Sequence, residues 1–385
     1  MGALGESTAW IVLGIAALGC FYALAAAMVV RRFSGASKRH ADATPGVTIL
    51  KPLAGLSPAL FDDLASFCEQ DYRGSLQILF GVQDGADPAA AVVRRLISAR
   101  PGGDLELVVH RPISGTNPKV ANLMGLERHI RYPVVILADA DIRVSGDYVR
   151  DIVDALNAPG VGAVTCLYRG TGRRGIWACM CSMGIDYHFL PNVLVGLKLG
   201  LARPCFGSTI ALRRETLEAI GGFQAFSNCL ADDYAIGAAI RAMDMRVAIP
   251  GLIVTHSCCE ETMADLFGHE LRWARTVRVV DPSGYAGLII THPLPFALLG
   301  GLLNGFSAIA IGAVAAAIAS RLVLQWQVDH TLNVPPDRWW LMPLRDLLAF
   351  GIYVAGFFVN VVRWGGRRYR VRSDGTLTAL GEPNA

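Results

Sequence analysis

From Thr8 to Val30 the chain runs for 23 residues without a charged side chain. About 20 apolar residues suffice for a helix to cross the hydrocarbon core, and a helix satisfies its own backbone polar groups there. The run therefore predicts a transmembrane helix. Its leading flank carries Glu6 and no Lys or Arg, whereas the trailing flank carries Arg31, Arg32, Lys38 and Arg39. A cleaved secretory signal has the opposite polarity and a shorter apolar centre. An uncleaved anchor over residues 1–31 is expected, with Met1 outside and the chain after Arg31 in the cytosol.

The second half repeats the pattern. Leu288 to Trp326 is nearly as apolar, and Leu347 to Val362 is followed by Arg363, Arg367, Arg368, Arg370 and Arg372. Basic flanks facing inward at both ends require an odd number of crossings. Three are expected: 8–30, one within 294–324 and one within 339–362. The second region is long enough to form a tight pair around Asn304 and Gly305. The third holds Arg345 and Asp346, which cost several kcal/mol if they face lipid unpaired. Only 17% of residues are charged, against about 25% in an average soluble domain. The net charge of +3 gives no reason to expect nucleic acid as a partner. The nine cysteines lack the paired spacing of a zinc site and read as reduced, packed thiols.

Between these apolar regions, residues 46–285 alternate strand and helix patterns, the mark of a mostly parallel sheet covered on both faces. Val47 to Leu50, Leu76 to Val82, Leu105 to Val109, Val134 to Ala138, Gly162 to Tyr168 and Thr209 to Arg213 read as strands. Pro58 to Glu69 places Leu60, Leu64 and Phe67 at helical spacing. Ligands of open α/β sheets gather at the carboxyl ends of strands. Two acidic groups fall at such ends: Asp84 after Gln83, and Asp139 with Asp141.

Asp139-Ala140-Asp141 fits two readings, a pair of hard oxygen ligands for a divalent cation and its diphosphate or a turn that caps the next helix. Asp232 and Asp233 precede a helix-forming stretch. They suit the helix N-terminus, or one of them serves as general base for an acceptor alcohol. His269, Arg272 and Trp273 share a helix face. Arg272 suits bidentate phosphate binding, and the same helix, 262–277, suits a membrane surface with Arg272, Arg275 and Arg278 at lipid head groups.

Six separated motifs occur in order: Leu50-Lys51-Pro52-Leu53, Val82-Gln83-Asp84, Asn117-Pro118-Lys119 with Asn122-Leu123, Asp139 with Ile142-Arg143-Val144, Ala231-Asp232-Asp233-Tyr234, and Arg272-Trp273. Together they resemble the ceramide glucosyltransferase family, glycosyltransferase family 21, from about Val47 to Trp273 and more loosely over Gly366 to Gly375. Thr165 to Gly170, Phe189-Leu190-Pro191, Leu201 to Gly207 and His269 to Thr276 are most similar to the bacterial hopanoid-biosynthesis-associated members.

The resemblance implies an α/β glycosyltransferase-A domain (the nucleotide-diphospho-sugar transferase fold) between N-terminal and C-terminal transmembrane helices. It implies a UDP-sugar donor, inversion at the anomeric carbon, a divalent metal (Mg²⁺ or Mn²⁺) and a membrane lipid acceptor. By motif, Asp84, Asp139, Lys119, Arg272 and Trp273 bind the donor, Asp139 and Asp141 hold the metal, and Asp233 is the catalytic base. His188 matches a family histidine near the active site, and Asp232 is a further candidate. His269 stands where the family usually has Gln or Arg, three residues before the Arg-Trp pair. A multi-pass protein of the cytoplasmic (inner) membrane is expected, with a cytosolic catalytic domain, a transmembrane region over 286–362 and a basic cytosolic tail over 363–385. The expected acceptor is a hopanoid polyol such as bacteriohopanetetrol, receiving N-acetylglucosamine; ceramide receiving glucose is the alternative. Three or four spans are too few for the polymer channel of a processive synthase. A non-catalytic lipid-binding subunit, with the acids as caps, is the alternative from another class.

Overall fold

A computed structural model of the chain describes residues 3–33, 44–111, 115–172, 175–334, 338–359, 361–364, 367–372 and 375–380. Lys38, Arg39 and Gly366, used in the sequence reading, lie outside the described residues. The chain divides into two compact units, one of residues 1–33, 175–203 and 260–359, the other of 34–174, 204–259 and 360–385.

The first unit is helical. Among the described residues, three helices are long and apolar enough to cross a membrane: Glu6–Arg31, Ala308–Leu332 and Trp339–Phe358. The second starts later than the expected window because the chain breaks at Asn304 to Ser307. Gly305 and Phe306 take positive φ there (61° and 51°), and the Ser307 hydroxyl caps the new helix by accepting from Ala310 N at 3.4 Å. The residues before the break form a bent pair, Pro282–Thr291 and Pro293–Leu303 at 62°, which adds a fourth crossing if it is counted as one span.

Arg345 and Asp346 do not face lipid, being 3% and 1% exposed. Arg321 Nε donates to both Asp346 oxygens at 3.1 Å, His188 Nε2 lies 3.0 Å from Asp346, and Arg345 donates to Glu270 at 2.8 Å. Each buried charge thus meets its opposite, the condition under which such groups are tolerated inside a bundle.

In the same unit, Met263–Val280 opens with a capping box between Thr262 and Asp265. Arg275 on this helix is buried. Arg278 donates to the carbonyls of Gly356, at 2.8 Å, and Phe357, closing the end of the Met342–Phe358 helix. Arg275 is thus packed within the unit, and Arg278 caps a neighbouring helix from a half-buried position.

Among the described residues, the second unit holds every strand: β1 (Val47–Pro52), β2 (Leu76–Val82), β3 (Asp104–Val109), β4 (Val134–Leu137), β5 (Ile142–Arg143), β6 (Val161–Thr165), β7 (Leu167–Thr171), β8 (Ile210–Arg213), β9 (Arg246–Ala248), β10 (Ile253–Ser257), β11 (Val361–Trp364), β12 (Arg367–Val371) and β13 (Leu377–Leu380). The main sheet has the order β3-β2-β1-β4-β8-β6-β9, parallel except for β8. Every residue of β1 is buried, as a central strand covered on both faces requires. One core packs the helices Leu60–Cys68, Pro88–Ala99 and Tyr148–Leu156 against one face. A second core packs Pro118–Glu127 and Asp232–Ala242 against the other.

The expected single strand over 162–168 is two. The chain leaves the main sheet at Cys166 and enters a small sheet ordered β5-β10-β7, while Ser208 Oγ donates to the Cys166 carbonyl at 3.0 Å where the ladder is interrupted. The strands 361–380 form a third, antiparallel sheet, β11-β12-β13, in a stretch expected as a basic tail.

Strand order reverses beside β1: successive connections lead outward to β3, and β4 then returns to the other side of β1. Such a switch point opens a crevice at the carboxyl ends of the two central strands. Asp139 stands there, two residues beyond the end of β4.

Candidate active site

Asp139 is held from two sides. Its backbone N–H donates to the Gly207 carbonyl at 3.2 Å, and its own carbonyl accepts from Lys51 Nζ. Its carboxylate lies 2.5 Å from Lys119 Nζ, which is also 3.7 Å from Asp232. Lys119 reaches this point because Asn117 caps its helix, accepting from Lys119 N at 2.9 Å and Val120 N at 3.1 Å. The Asn117 amide nitrogen then donates to Asp232 Oδ1 at 3.1 Å. Burial opposes the Lys119 charge, but Asp139, Asp232 and Asp233 outweigh it and hold the ammonium well above its usual range.

Asp233 lies in the first turn of the Asp232–Ala242 helix, whose N-cap position is Ala231. Asp233 Oδ2 accepts from Gly207 N at 2.9 Å and Oδ1 from Tyr234 N at 2.8 Å. Burial, then the Asp232 charge, raises its carboxyl to about 6, against the pull of Lys119 and the two backbone N–H groups. Asp141 pairs with His256 on β10, Nε2 to Oδ2 at 3.2 Å. Burial disfavours the His256 charge, yet Asp141 outweighs it and raises the imidazolium well above its usual range.

The Asp139 and Asp141 side chains keep 34% and 41% exposure, whereas their supports Lys51 and Asp232 are buried. Two half-buried hard carboxylates over a buried frame, with one Asp141 oxygen turned inward, fit an Mg²⁺ or Mn²⁺ site completed by water and diphosphate oxygens. Neither aspartate caps the next helix, which begins at Tyr148.

Asp84 stands apart from this network. It occupies an exposed turn after β2 and accepts from Ala86 N at 2.9 Å. Arg272, Trp273, His269 and His188 belong to the helical unit. There His269 Nδ1 lies 2.6 Å from Glu260, and its ring centroid is 4.2 Å from that of Trp273. His269 is thus tied to a carboxylate within its own unit. His188 sits in a π-helical turn, Ile185–Phe189, against Asp346.

Three site residues carry roles that no motif assigns, although Lys51 and Gly207 lie within family motifs. Gly207 is where Asp139, Lys119 and Asp233 converge: a Cβ there would lie 2.6 Å from Lys119 Nζ and 2.8 Å from Asp139 Oδ2, so only glycine leaves both groups in place. Lys51 is fully buried over the Phe67 ring at 3.8 Å. Burial pulls its amine down to about 7, against Asp141, Asp139 and Asp63. A lysine at the end of an otherwise apolar strand was the available signal. His256 had none, since a lone histidine in a short strand is an ordinary core residue.

The family model described as Glycosyl transferase family 21 matches residues 11–377. The chain belongs to glycosyl transferase family 21. This family 21 chain is 27% identical over 263 residues to "Ceramide glucosyltransferase 1" of Caenorhabditis elegans, covering 68% of the chain and 55% of that protein. It is 24% identical over 346 residues to "Ceramide glucosyltransferase 3" of the same organism, covering 86% and 74%. The chain thus spans little more than half the length of the first of these relatives. Among solved structures it is similar to a mannosyltransferase from Pyrobaculum calidifontis in complex with GDP-Man and Mn²⁺, with a TM-score of 0.54 and 19% identity over 92% of the chain and 99% of the other. The fold of this family 21 chain is glycosyltransferase-A, with helices long and apolar enough to cross a membrane both before and after the catalytic strands.

Proposed function

We propose that this chain is an inverting glycosyltransferase that moves a sugar from a UDP-sugar to a hydroxyl of a membrane lipid. The observation that carries the reading is Asp233, a carboxylate raised toward neutral pH beside the Lys119–Asp139 pair at the switch point. An alcohol is a poor nucleophile, and a carboxylate of this kind accepts its proton as the new bond forms.

In the proposed step the lipid oxygen attacks the anomeric carbon from the face opposite UDP. A carbon–oxygen bond forms, the bond to the diphosphate breaks, and the proton passes to Asp233. Lys119, assigned to the donor by the family motif, would offset charge on the departing diphosphate. Asp139 and Asp141 would hold a divalent metal, which when bound neutralises diphosphate charge. Arg272 and Trp273 are assigned to closure over the donor, and Asp84 to the nucleotide, by the family motifs. His188, Asp232 and His269 are assigned supporting roles.

For the acceptor, the relatives named ceramide glucosyltransferase support ceramide with glucose over a hopanoid polyol with N-acetylglucosamine. The catalytic unit is assigned to the cytosolic side of the inner membrane by the basic flanks.

The test is incubation of the purified protein with UDP-glucose, UDP-N-acetylglucosamine and UDP-galactose against ceramide and bacteriohopanetetrol, followed by mass spectrometry of the lipid. Glucosylceramide is the expected product. A glycosylated hopanoid alone would overturn the acceptor assignment. Lipid binding with no UDP released under any combination would overturn the enzymatic reading.

A further inference from the structure

The C-terminal strands belong to the same compact unit as the Asp139–Asp233 cluster, and their contacts run toward it. Leu377 N, at the start of β13, donates to the Asn228 carbonyl at 3.0 Å, and Leu230 N donates to the Gly375 carbonyl at 3.0 Å. Between these two bonds Thr376 and Cys229 pair as an antiparallel bridge. Residues 228–230 are thus gripped as a short added strand.

This gripped segment leads into Asp232 and Asp233, and its other side is tied to the start of the Lys119 helix. Asn228 Oδ1 accepts from Thr116 N and Thr116 Oγ1, both at 3.1 Å. Asn117 N donates to the Ser227 carbonyl at 2.9 Å. The Asn117 side chain donates to the Cys229 carbonyl at 2.8 Å as well as to Asp232. A continuous run of bonds therefore joins Gly375–Leu377 to residues 228–230, then to Asn117 and Asp232, and from Asp232 to Lys119 and Asp139.

The tail sheet has its own anchor. Tyr369, Val371 and Leu377 are each 4% exposed, and β12 pairs with both β11 and β13 over four residues each. Gly375 takes a φ of 81°, a conformation that a side chain disfavours, and its carbonyl is the one that receives Leu230.

We propose that β11–β13 is a positioning element of the transfer site, in which Gly375 and Leu377 hold residues 228–230 and so set the placement of Asp232 and Asp233. The sheet touches no reacting atom; it acts through the loop. The proposal rests on the assignment of Asp233 as the base. Its consequence is that the chemical step depends on a strand more than 130 residues further along the chain, while donor affinity depends on it little.

Two full-length variants test this: Leu377→Pro, which deletes the N–H that Asn228 accepts, and Gly375→Ala, which strains the turn but keeps every donor. Thr378→Ala, at an exposed position of the same strand, is the control. Steady-state kcat and donor KM, UDP binding and the pH profile of kcat are measured with the purified protein. A misplacement of about 1 Å costs on the order of 100-fold in rate. The expected kcat loss is about 30- to 100-fold for Leu377→Pro and about 3- to 10-fold for Gly375→Ala, with donor KM within about twofold and the acid limb of the profile displaced. Thr378→Ala is expected to match wild type.

Wild-type kcat and pH profile in both variants overturns the proposal. It is also overturned if kcat and UDP binding fall together in proportion to unfolded protein, as a purely structural tail would give; Gly375→Ala reports this even where Leu377→Pro does not fold. A fully active Asp233→Asn would instead overturn the base assignment itself, and an active wild type with an inactive Asp233→Asn isolates the outcome to the tail.

Discussion

Lys119 Nζ lies 2.5 Å from Asp139 Oδ1, inside a frame that also holds Asp232. The ammonium is an internal counter-charge for carboxylates that otherwise crowd one another, and a buried charge left without its partner is costly. Lys119→Met should lower kcat/KM by about 100-fold, in line with the few kcal/mol that one preorganised charge contributes to a transition state. Lys119→Arg should recover only part of this, because the planar guanidinium does not fit the space of an ammonium. Steady-state kinetics on both variants checks the expectation.

Asp233 carries a pH dependence with a definite sign. Its carboxyl is raised to about 6, so a base at this position gains activity as pH rises through about 6 and levels off above it. For stability the sign is opposite. The folded state binds this proton more tightly than the unfolded chain, so stability falls as pH rises between about 4 and 6. Asp233→Asn should abolish transfer by at least about 1,000-fold and raise the melting temperature slightly at pH 7. Kinetics and thermal unfolding across pH 5 to 8 measure the two effects.

Gly207→Ala separates activity from stability. The added methyl meets the flexible end of Lys119 at 2.6 Å and the Asp139 carboxylate at 2.8 Å, groups that can move aside. The fold should lose no more than about 1 kcal/mol, whereas kcat should fall by about 100-fold because both displaced groups belong to the site. Equal losses in the two measurements would argue against the convergence at Gly207.

Removal of divalent metal with EDTA should stop transfer, and Mn²⁺ or Mg²⁺ should restore it, as the half-buried Asp139 and Asp141 carboxylates lead one to expect. Asp141→Asn should raise the metal concentration needed for half-maximal rate by about 10-fold or more. Titration of rate against added metal reads this directly.

In the helical unit, Arg345→Leu should destabilise the protein by about 3–5 kcal/mol by leaving Glu270 buried without its charge partner. Replacing both residues by leucine should recover most of that loss. Thermal unfolding in detergent compares the single and double variants.

The sequence by itself determined what depends on contiguous residues. The uncharged run from Thr8 to Val30 is a spanning helix wherever it lies in a membrane, because its length and polarity are local properties. The strand before Asp139 and the helix carrying Arg272 and Trp273 were legible for the same reason, since each is a periodic pattern within a dozen residues.

The tertiary structure alone decided which groups meet. Lys51 reaches the Asp139 carbonyl across 88 positions, and Ser257 reaches Asp63 across 194. Gly207 matters only because Asp139 and Asp233 arrive on either side of it. The stretch 361–380 reads as a basic tail by its arginines, yet three short strands find partners there, and β13 grips residues 228–230. No local pattern encodes such meetings, because a hydrogen bond depends on where two segments are placed in space and not on their separation along the chain.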